Sequence, residues 1–460
     1  MTAAADTQQL ETWPVYLLAG GESARFGSDK ALALLDGKPL ILHALGPFHA
    51  LAGPAIAVVD RPDRLAGLEL PVVVDAQPLR GPAHGLLTAL RHRGQGWLWL
   101  APCDVLGVQP SWLDALAAHA QAGRRAVAWR DAHWQPLPSL WHTDALPQVE
   151  HALADGRDAL WQLLDDVGAQ PVALPAEWSQ LRRIDTQDAL RQVQRERLAV
   201  CTRAVTQVRG AVTTRTLDAL AIEAPLQVGV AQGALTRNLG VTLRTPGDDV
   251  ELAVGLAFSE GALRLPGDVL RADATPDAVT LQLGPGAPPP VEAHARVRIA
   301  SAACGACGKA ELDVTDVISQ VASADLRVPL SLLQTLPDVL RLRQTGFAAT
   351  GALHAAGLFA ADGTLLDVRE DVGRHNAVDK LLGAAFLAGR LPLHDHVLVL
   401  SGRVAFELVQ KAALAGLPVI VAVGAPSSLA VEVAEKAGIT VLGFVRPERV
   451  NVYTHPQRLD

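Results

Sequence analysis

The sequence is poor in several residue types. Among 460 residues there are four cysteines, one methionine and two tyrosines, and aromatic residues make up 4%. Cys103, Cys201, Cys304 and Cys307 are too few and too unevenly spread to staple a disulfide scaffold. No apolar run approaches the roughly 18 residues that a spanning helix needs, so no membrane segment is expected. The first fourteen residues are polar and acidic. They lack the basic stretch and apolar run of a secretory leader, so a cytoplasmic chain with reduced thiols is the expectation. Positive charge is also short: 40 Lys and Arg stand against 48 Asp and Glu, a net charge of −8. That balance argues against a general nucleic-acid binder, although a few local cations can still hold a small phosphorylated ligand. Lysine occurs only six times, at Lys30, Lys38, Lys309, Lys380, Lys411 and Lys436, which makes each one worth locating.

What is present is ample core material. Hydrophobic residues make up 49%, charged residues 19%, and mean hydropathy is +0.21. At roughly 100–200 residues per domain the chain has room for about two to four domains. Two segments with different grammar follow. Residues 1–197 alternate short apolar runs (Val15–Ala19, Ile56–Val59, Val72–Val74, Trp97–Leu100) with stretches of helical spacing. That pattern predicts an α/β domain with a mostly parallel sheet covered on both faces. A last helix is expected over 185–197, capped by Asp185-Thr186, with 198–204 as linker. Residues 205–460 are loop-rich around 284–290. They then alternate again, with strands expected at 397–400, 419–423 and 440–444 and helices at 406–415 and 427–437.

In the first segment a strand runs into Leu18-Ala19-Gly20-Gly21, followed by Arg25 and Lys30. A glycine pair lets backbone N–H groups approach a phosphate, and the two cations can neutralise a triphosphate and released pyrophosphate. The spacing is not that of a P-loop. Asp104 closes the run Leu100-Ala101-Pro102-Cys103-Asp104 at a strand's carboxyl end, where open α/β sheets place ligands. A carboxylate there suits Mg²⁺, and its bland alternative is a cap for the helix expected after it. Cys103 reads as a small buried hydrophobe.

These motifs, LAGGESARFGSDKALALLDGKPL (18–40), GPAHGLLTAL (81–90) and LAPCD (100–104), resemble those of molybdenum cofactor guanylyltransferases of the MobA type. The resemblance spans about 13–195 and implies a Rossmann-like nucleotide-diphospho-sugar-transferase fold. It implies transfer of GMP from GTP to molybdopterin with release of pyrophosphate. By it, Leu18, Ala19 and Gly20 line the nucleotide, Lys30 contacts its phosphates, Asp75 helps hold GTP, and Asp104 binds both GTP and Mg²⁺. Gly21 and Arg25 join them as nucleotide-binding candidates. Phe26 stands where the family usually has methionine, Asp60 and Asp185 where it has asparagine, and these departures leave GTP against CTP open.

The second segment carries Cys304-Gly305-Ala306-Cys307 beside Lys309. A lone CxxC reads as half a zinc site, a redox pair or a nucleophilic thiolate that carries sulfur. Around it, 367–380 packs charge of both signs, 401–411 follows a strand and opens a helix, and 444–449 follows the last strand. A surface ion network would explain any one of these, while three arginine-bearing turns after strands suit an anion pocket. Together with TPGDDVELAVGLAFSEGAL (245–263), EDVGRHNAVDK (370–380) and GFVRPERVNVYTHPQRL (443–459), they resemble FdhD sulfur carriers. That resemblance implies a cytidine-deaminase-like α/β fold without zinc chemistry. It implies persulfide sulfur taken from a cysteine desulfurase and passed to a molybdenum (or tungsten) bis-molybdopterin guanine dinucleotide cofactor on its way to formate dehydrogenase. Cys304 or Cys307 would carry the sulfur, Cys304 by preference. Phe444, Val445, Arg446, Pro447, Glu448 and Arg449 would bind the cofactor, with Arg374, His375 and Arg403 as further pocket candidates. The family also implies a homodimer. Alternatives are cytidylyl transfer to the same pterin and a non-catalytic cofactor chaperone.

Overall fold

The computed structural model describes residues 13–21, 25–49, 52–77, 80–210, 212–289, 299–300 and 326–460. The chain divides into two units, 1–194 and 195–460. Both are mixed α/β.

In the first unit β1 (Trp13–Leu18), β2 (Ala52–Val59), β3 (Val72–Val74), β4 (Trp97–Pro102), β5 (Ala126–Arg130), β6 (Trp134–His142) and β7 (Gln170–Val172) form one sheet in the order β7-β5-β6-β4-β1-β2-β3. β4, β1, β2 and β3 run parallel, and β6 is the antiparallel member between β4 and β5. Side chains of a strand alternate between faces. Val15, Leu17 and Trp99 therefore enter one core, while Tyr16, Leu98 and Leu100 enter the other. Both faces are covered, so these strands read as unbroken apolar runs rather than alternating ones. Helix α1 (Pro82–Arg93) covers the second face with Leu86 and Leu90. Its Gly85 is dictated by packing, since a Cβ there would sit 2.6 Å from Leu18 Cδ2.

The expected terminal helix is α2 (Gln187–Ala199). The linker expected at 198–204 is corrected. Those residues end α2 and begin β8 (Val200–Arg209), which pairs along its whole length with β9 (Val212–Ala221) as an antiparallel hairpin.

In the second unit β10 (Ala224–Gln232), β11 (Leu235–Arg244), β12 (Val269–Ala274), β13 (Ala278–Leu283) and the short strand Ile299–Ala300 form a sheet in the order β12-β13-β10-β11-short strand. Helix α3 (Asp249–Ser259) packs its Leu252, Ala253 and Ala257 on that sheet. A second sheet holds β14 (His354–Ala360), β15 (Leu365–Asp371), β16 (His396–Leu400), β17 (Val419–Ala422), β18 (Thr440–Arg446) and β19 (Arg449–Val452) in the order β15-β14-β16-β17-β18-β19. β16, β17 and β18 are parallel, so their carboxyl ends share one edge. Helices α4 (Leu330–Leu342), α5 (Arg374–Leu387), α6 (Phe406–Leu414) and α7 (Ser428–Ala437) cover its faces. Helix α3 crosses α5 at glycines: a Cβ on Gly255 would lie 1.9 Å from Asp379 O, and one on Gly383 1.9 Å from Glu251 O. Among the described residues no helix is long and apolar enough to cross a membrane.

Candidate functional site

The first unit gathers its candidates at the shared carboxyl edge of β4, β1, β2 and β3. Gly20 passes so close to the end of β2 that a Cβ would lie 3.2 Å from Asp60 N and 3.3 Å from Val59 C. Asp29 caps a short 3-10 turn, Lys30–Leu32, by accepting from Ala31 N at 3.1 Å. The turn aims Lys30 at β4, where its Nζ donates to Asp104 Oδ2 at 2.6 Å. Asp104 is 8% exposed and caps no helix: the next one, Pro110–Ala117, is preceded by Gln109. The capping alternative is thereby excluded. Ile184 N donates to Asp104 O at 2.8 Å, and the next residue, Asp185, lies 3.6 Å from Arg25. Asp75 ends β3, anchored by its own N–H on Val59 O (2.8 Å) and by Thr88 Oγ1 of α1 (3.0 Å). Leu18, Ala19, Gly20, Gly21, Arg25, Lys30, Asp75 and Asp104 thus all lie on this edge.

Two departures from the family pattern take structural parts. Phe26 is 2% exposed and packs with Leu35, Leu40, Leu106 and Ile184, anchoring the loop from below. Asp60 is held by Arg64 at 2.5 Å. Burial raises its carboxyl, but hydrogen bonding and charge from Arg64 outweigh this and bring it below its ordinary value. Cys103 is 2% exposed, and burial next to Asp104 pushes its thiol up to about 12, as expected for an inert small hydrophobe. Among the described residues no three His, Cys, Asp or Glu side chains gather to hold a metal. Asp104 is the carboxylate at this edge that would hold a cation, and magnesium usually needs only one or two carboxylates beside phosphate oxygens and water.

In the second unit Cys304 and Cys307 lie outside the described residues. The cationic candidates are described, and they come together. Ser401 follows β16 and ties to β14, its Oγ accepting from Ala355 N at 2.8 Å. Gly402 then lies against His354: a Cβ on this glycine would sit 3.2 Å from the ring Nδ1. Gly424, after β17, stacks on Gly402, where any Cβ would come within 2.9 Å of backbone. Phe444 N donates to Gly424 O at 3.2 Å. The result is a floor of glycine backbone across three strand ends. Arg374, His375 and Arg403 stand around His354: after burial, their charges are what lower its pKa. His354 was missed in the sequence, where a single histidine at a strand start carries no pattern.

Helices α5 and α6 meet at their first turns, His375 Nε2 lying 2.8 Å from Glu407 Oε2. Neither start has a side-chain cap, so several N–H groups remain for an anion. Burial raises the Glu407 carboxyl, and His375, Lys411 and Arg374 more than offset that. Phe444 sits at φ +53°, 38% exposed, with the Arg449 guanidinium 5.6 Å from its ring centroid. Arg446 Nη1 donates to Val445 O at 2.8 Å.

The alternative of a surface ion network does not hold for the charged stretch 370–380, in which Asp371, Asn376, Asp379 and Lys380 are buried. Asp371 (0% exposed) accepts from Thr245 N (3.1 Å), Gly373 N (2.8 Å) and Asn376 Nδ2 (3.0 Å), and pairs with Lys380 Nζ (2.8 Å). Asp379 pairs with Lys411 at 2.5 Å and accepts from Ser259 Oγ at 3.1 Å. The motif therefore splits. Asp371, Asn376, Asp379 and Lys380 lock the start of α5 in place, and Arg374 and His375 are presented by it.

Residues 221–460 match the FdhD/NarQ family, and residues 15–172 match the MobA-like NTP transferase domain. The chain is 43% identical over 269 residues to the sulfur carrier protein FdhD of Nocardia farcinica, covering 56% of this chain and 94% of that one. It is 46% identical over 271 residues to the sulfur carrier protein FdhD of Streptomyces coelicolor, again covering 56% and 94%. Among solved structures it is similar to molybdopterin-guanine dinucleotide biosynthesis protein A from Archaeoglobus fulgidus, with 22% identity, TM-score 0.35, and coverage of 39% of this chain and 96% of that one.

Proposed function

From the premise that the chain belongs to the FdhD/NarQ family and carries a MobA-like nucleotidyltransferase domain ahead of it, we propose that it acts at two consecutive points of molybdenum cofactor maturation. The first unit transfers GMP from GTP to molybdopterin. The second carries persulfide sulfur from a cysteine desulfurase to the resulting guanine dinucleotide cofactor before it enters formate dehydrogenase.

The observation that carries the first step is the 2.6 Å pair of Lys30 and Asp104 beside the glycine turn. A pterin phosphate oxygen attacks the α-phosphorus of GTP. The new P–O bond forms as the bond to the β-phosphate oxygen breaks, and pyrophosphate leaves with that electron pair. Lys30 neutralises charge on the leaving group, and backbone N–H groups at Gly20 and Gly21 hold the phosphates in line. Asp104 would hold a magnesium ion that adds further charge neutralisation when bound. For the second step the glycine floor and its surrounding Arg374, His375 and Arg403 support a phosphorylated ligand. Cys304, the favoured carrier, attacks the donor's terminal sulfur as a thiolate, and the donor thiolate leaves.

Two measurements test the reading. Label from the α-phosphate of GTP should appear on molybdopterin in the presence of magnesium, and label from CTP should not. Transfer from CTP alone would replace the guanylyl reading by a cytidylyl one. Intact mass spectrometry after incubation with a cysteine desulfurase and cysteine should show one added sulfur that maps to Cys304 or Cys307. If Cys304→Ala and Cys307→Ala both leave activation of formate dehydrogenase intact, the second unit is a binding chaperone.

A further inference from the structure

Arg64 lies in a polar turn after β2, yet it is only 7% exposed. Its guanidinium reaches three separate places. Nη1 donates to Asp60 Oδ1 at 2.5 Å, at the end of β2. Nη2 donates to Gly21 O at 2.6 Å, in the glycine turn. Nε lies 2.8 Å from Asp29 Oδ2, an ion-pair contact rather than an aligned hydrogen bond. Asp29 in turn caps the turn that begins with Lys30. Gly21 and Asp29 flank the segment that carries Arg25, so one side chain fixes both ends of it to the sheet.

We infer that Arg64 is a positioning residue for nucleotide binding: it holds Gly21 and the Lys30 turn in register with Asp104, and acts on the nucleoside triphosphate only through them. This rests on the nucleotidyl-transfer reading of the same edge. Three features favour positioning over general stability. A planar fork donates to Asp60 and Gly21 at once while its Nε edge faces Asp29, a set of contacts that lysine cannot reproduce. The partners belong to the ligand edge and not to either hydrophobic core. Its charge is also paired with Asp29 at 2.8 Å and Asp60 at 2.5 Å, and those two carboxylates more than offset the lowering of its pKa by burial. The guanidinium thus stays charged but faces two carboxylates and a carbonyl of the protein itself.

The test uses the full chain with magnesium and GTP, following binding by titration and turnover by pyrophosphate release. Arg64→Ala should raise the GTP dissociation constant and KM more than it lowers kcat. The combined loss in kcat/KM should be roughly 100-fold, the scale of a misplacement of about 1 Å. Added guanidinium at non-denaturing concentration should recover part of that loss in Arg64→Ala and none in Lys30→Ala. Arg64→Lys should keep the thermal transition of the first unit while remaining impaired, which covers the case in which the alanine variant does not fold. Arg91→Ala, which removes an exposed pair with Glu150, should match the wild type. Unchanged GTP binding in a folded Arg64→Ala or Arg64→Lys would overturn the inference and leave the nucleotidyl-transfer reading standing. A wild type that binds no nucleoside triphosphate would overturn both.

Discussion

Asp371→Asn tests how far the second unit depends on its buried charges. The substitution keeps the volume of a side chain that is 0% exposed. It removes the charge facing Lys380, which is itself 1% exposed and 2.8 Å away. It also leaves one amide oxygen to serve Thr245 N, Gly373 N and Asn376 Nδ2, with an NH₂ group turned toward donors. Breaking one partner of a buried pair typically costs about 3–5 kcal/mol because the other charge is left stranded. A domain's whole stability is about 5–15 kcal/mol, so the effect should be large. The sequence supplies a convenient assay. All nine tryptophans, Trp13 to Trp178, lie in the first unit. Tryptophan fluorescence in urea therefore reports that unit, while far-ultraviolet circular dichroism reports both. The dichroism transition should split, its second-unit part moving to lower urea by about 3–5 kcal/mol, with the fluorescence transition unmoved. Asp371→Asn/Lys380→Met should recover part of the loss, because no ammonium is then stranded. A single-variant loss below about 1 kcal/mol, the size of a surface pair, would refute the reasoning.

Gly255→Ala and Gly383→Ala each place a methyl 1.9 Å from a carbonyl oxygen at the α3–α5 crossing, and overpacking of this kind costs about 1–3 kcal/mol or more; the same urea assay should show it, and wild-type stability would contradict the crossing. His354 should titrate below its ordinary 6.5, first through burial and then through Arg374, His375 and Arg403. Its folded pKa is depressed, and the group is neutral at high pH. Its contribution to stability is therefore present above 6.5 and lost as pH falls through the folded value. Nuclear magnetic resonance of the ring protons should show that low midpoint, moving up in Arg403→Gln; a midpoint at or above 6.5 would contradict the cluster. With its thiol pushed up to about 12, Cys103 should resist a maleimide at pH near neutral in the native chain and react on unfolding, as read by peptide mapping; native labelling at the rate of a free thiol would contradict its burial.

Legibility in the sequence followed the physics of each element. Strands buried on both faces announce themselves as apolar runs, so Val397–Leu400 and Val419–Ala422 fall where the pattern puts them, within a residue. Motifs at strand ends were legible because an edge of parallel strands is where loops converge. The β8–β9 hairpin was not, because Thr202, Arg203, Thr214 and Arg215 alternate with no buried face and mimic a linker. Arg64 was hidden for a related reason: an arginine in the charged turn Asp60-Arg61-Pro62-Asp63-Arg64 looks solvated until its partners are seen around it. The buried network at 371–380 carried a signal that charge density masked. Asn376 and Lys380 are four apart, as are Asp379 and Gly383, and both pairs line helix faces that turn inward.

The most direct measurement of the central claim is activation of apo-formate dehydrogenase by the full chain, supplied with molybdopterin, molybdate, magnesium, GTP, a cysteine desulfurase and cysteine. Lys30→Ala and Cys304→Ala should each fail alone, and an equal mixture of the two variant chains should restore activation, because each supplies the step the other lacks. Activation by Lys30→Ala alone, at the wild-type level and with no other source of the guanine dinucleotide cofactor, would contradict the assignment of two consecutive steps to one chain.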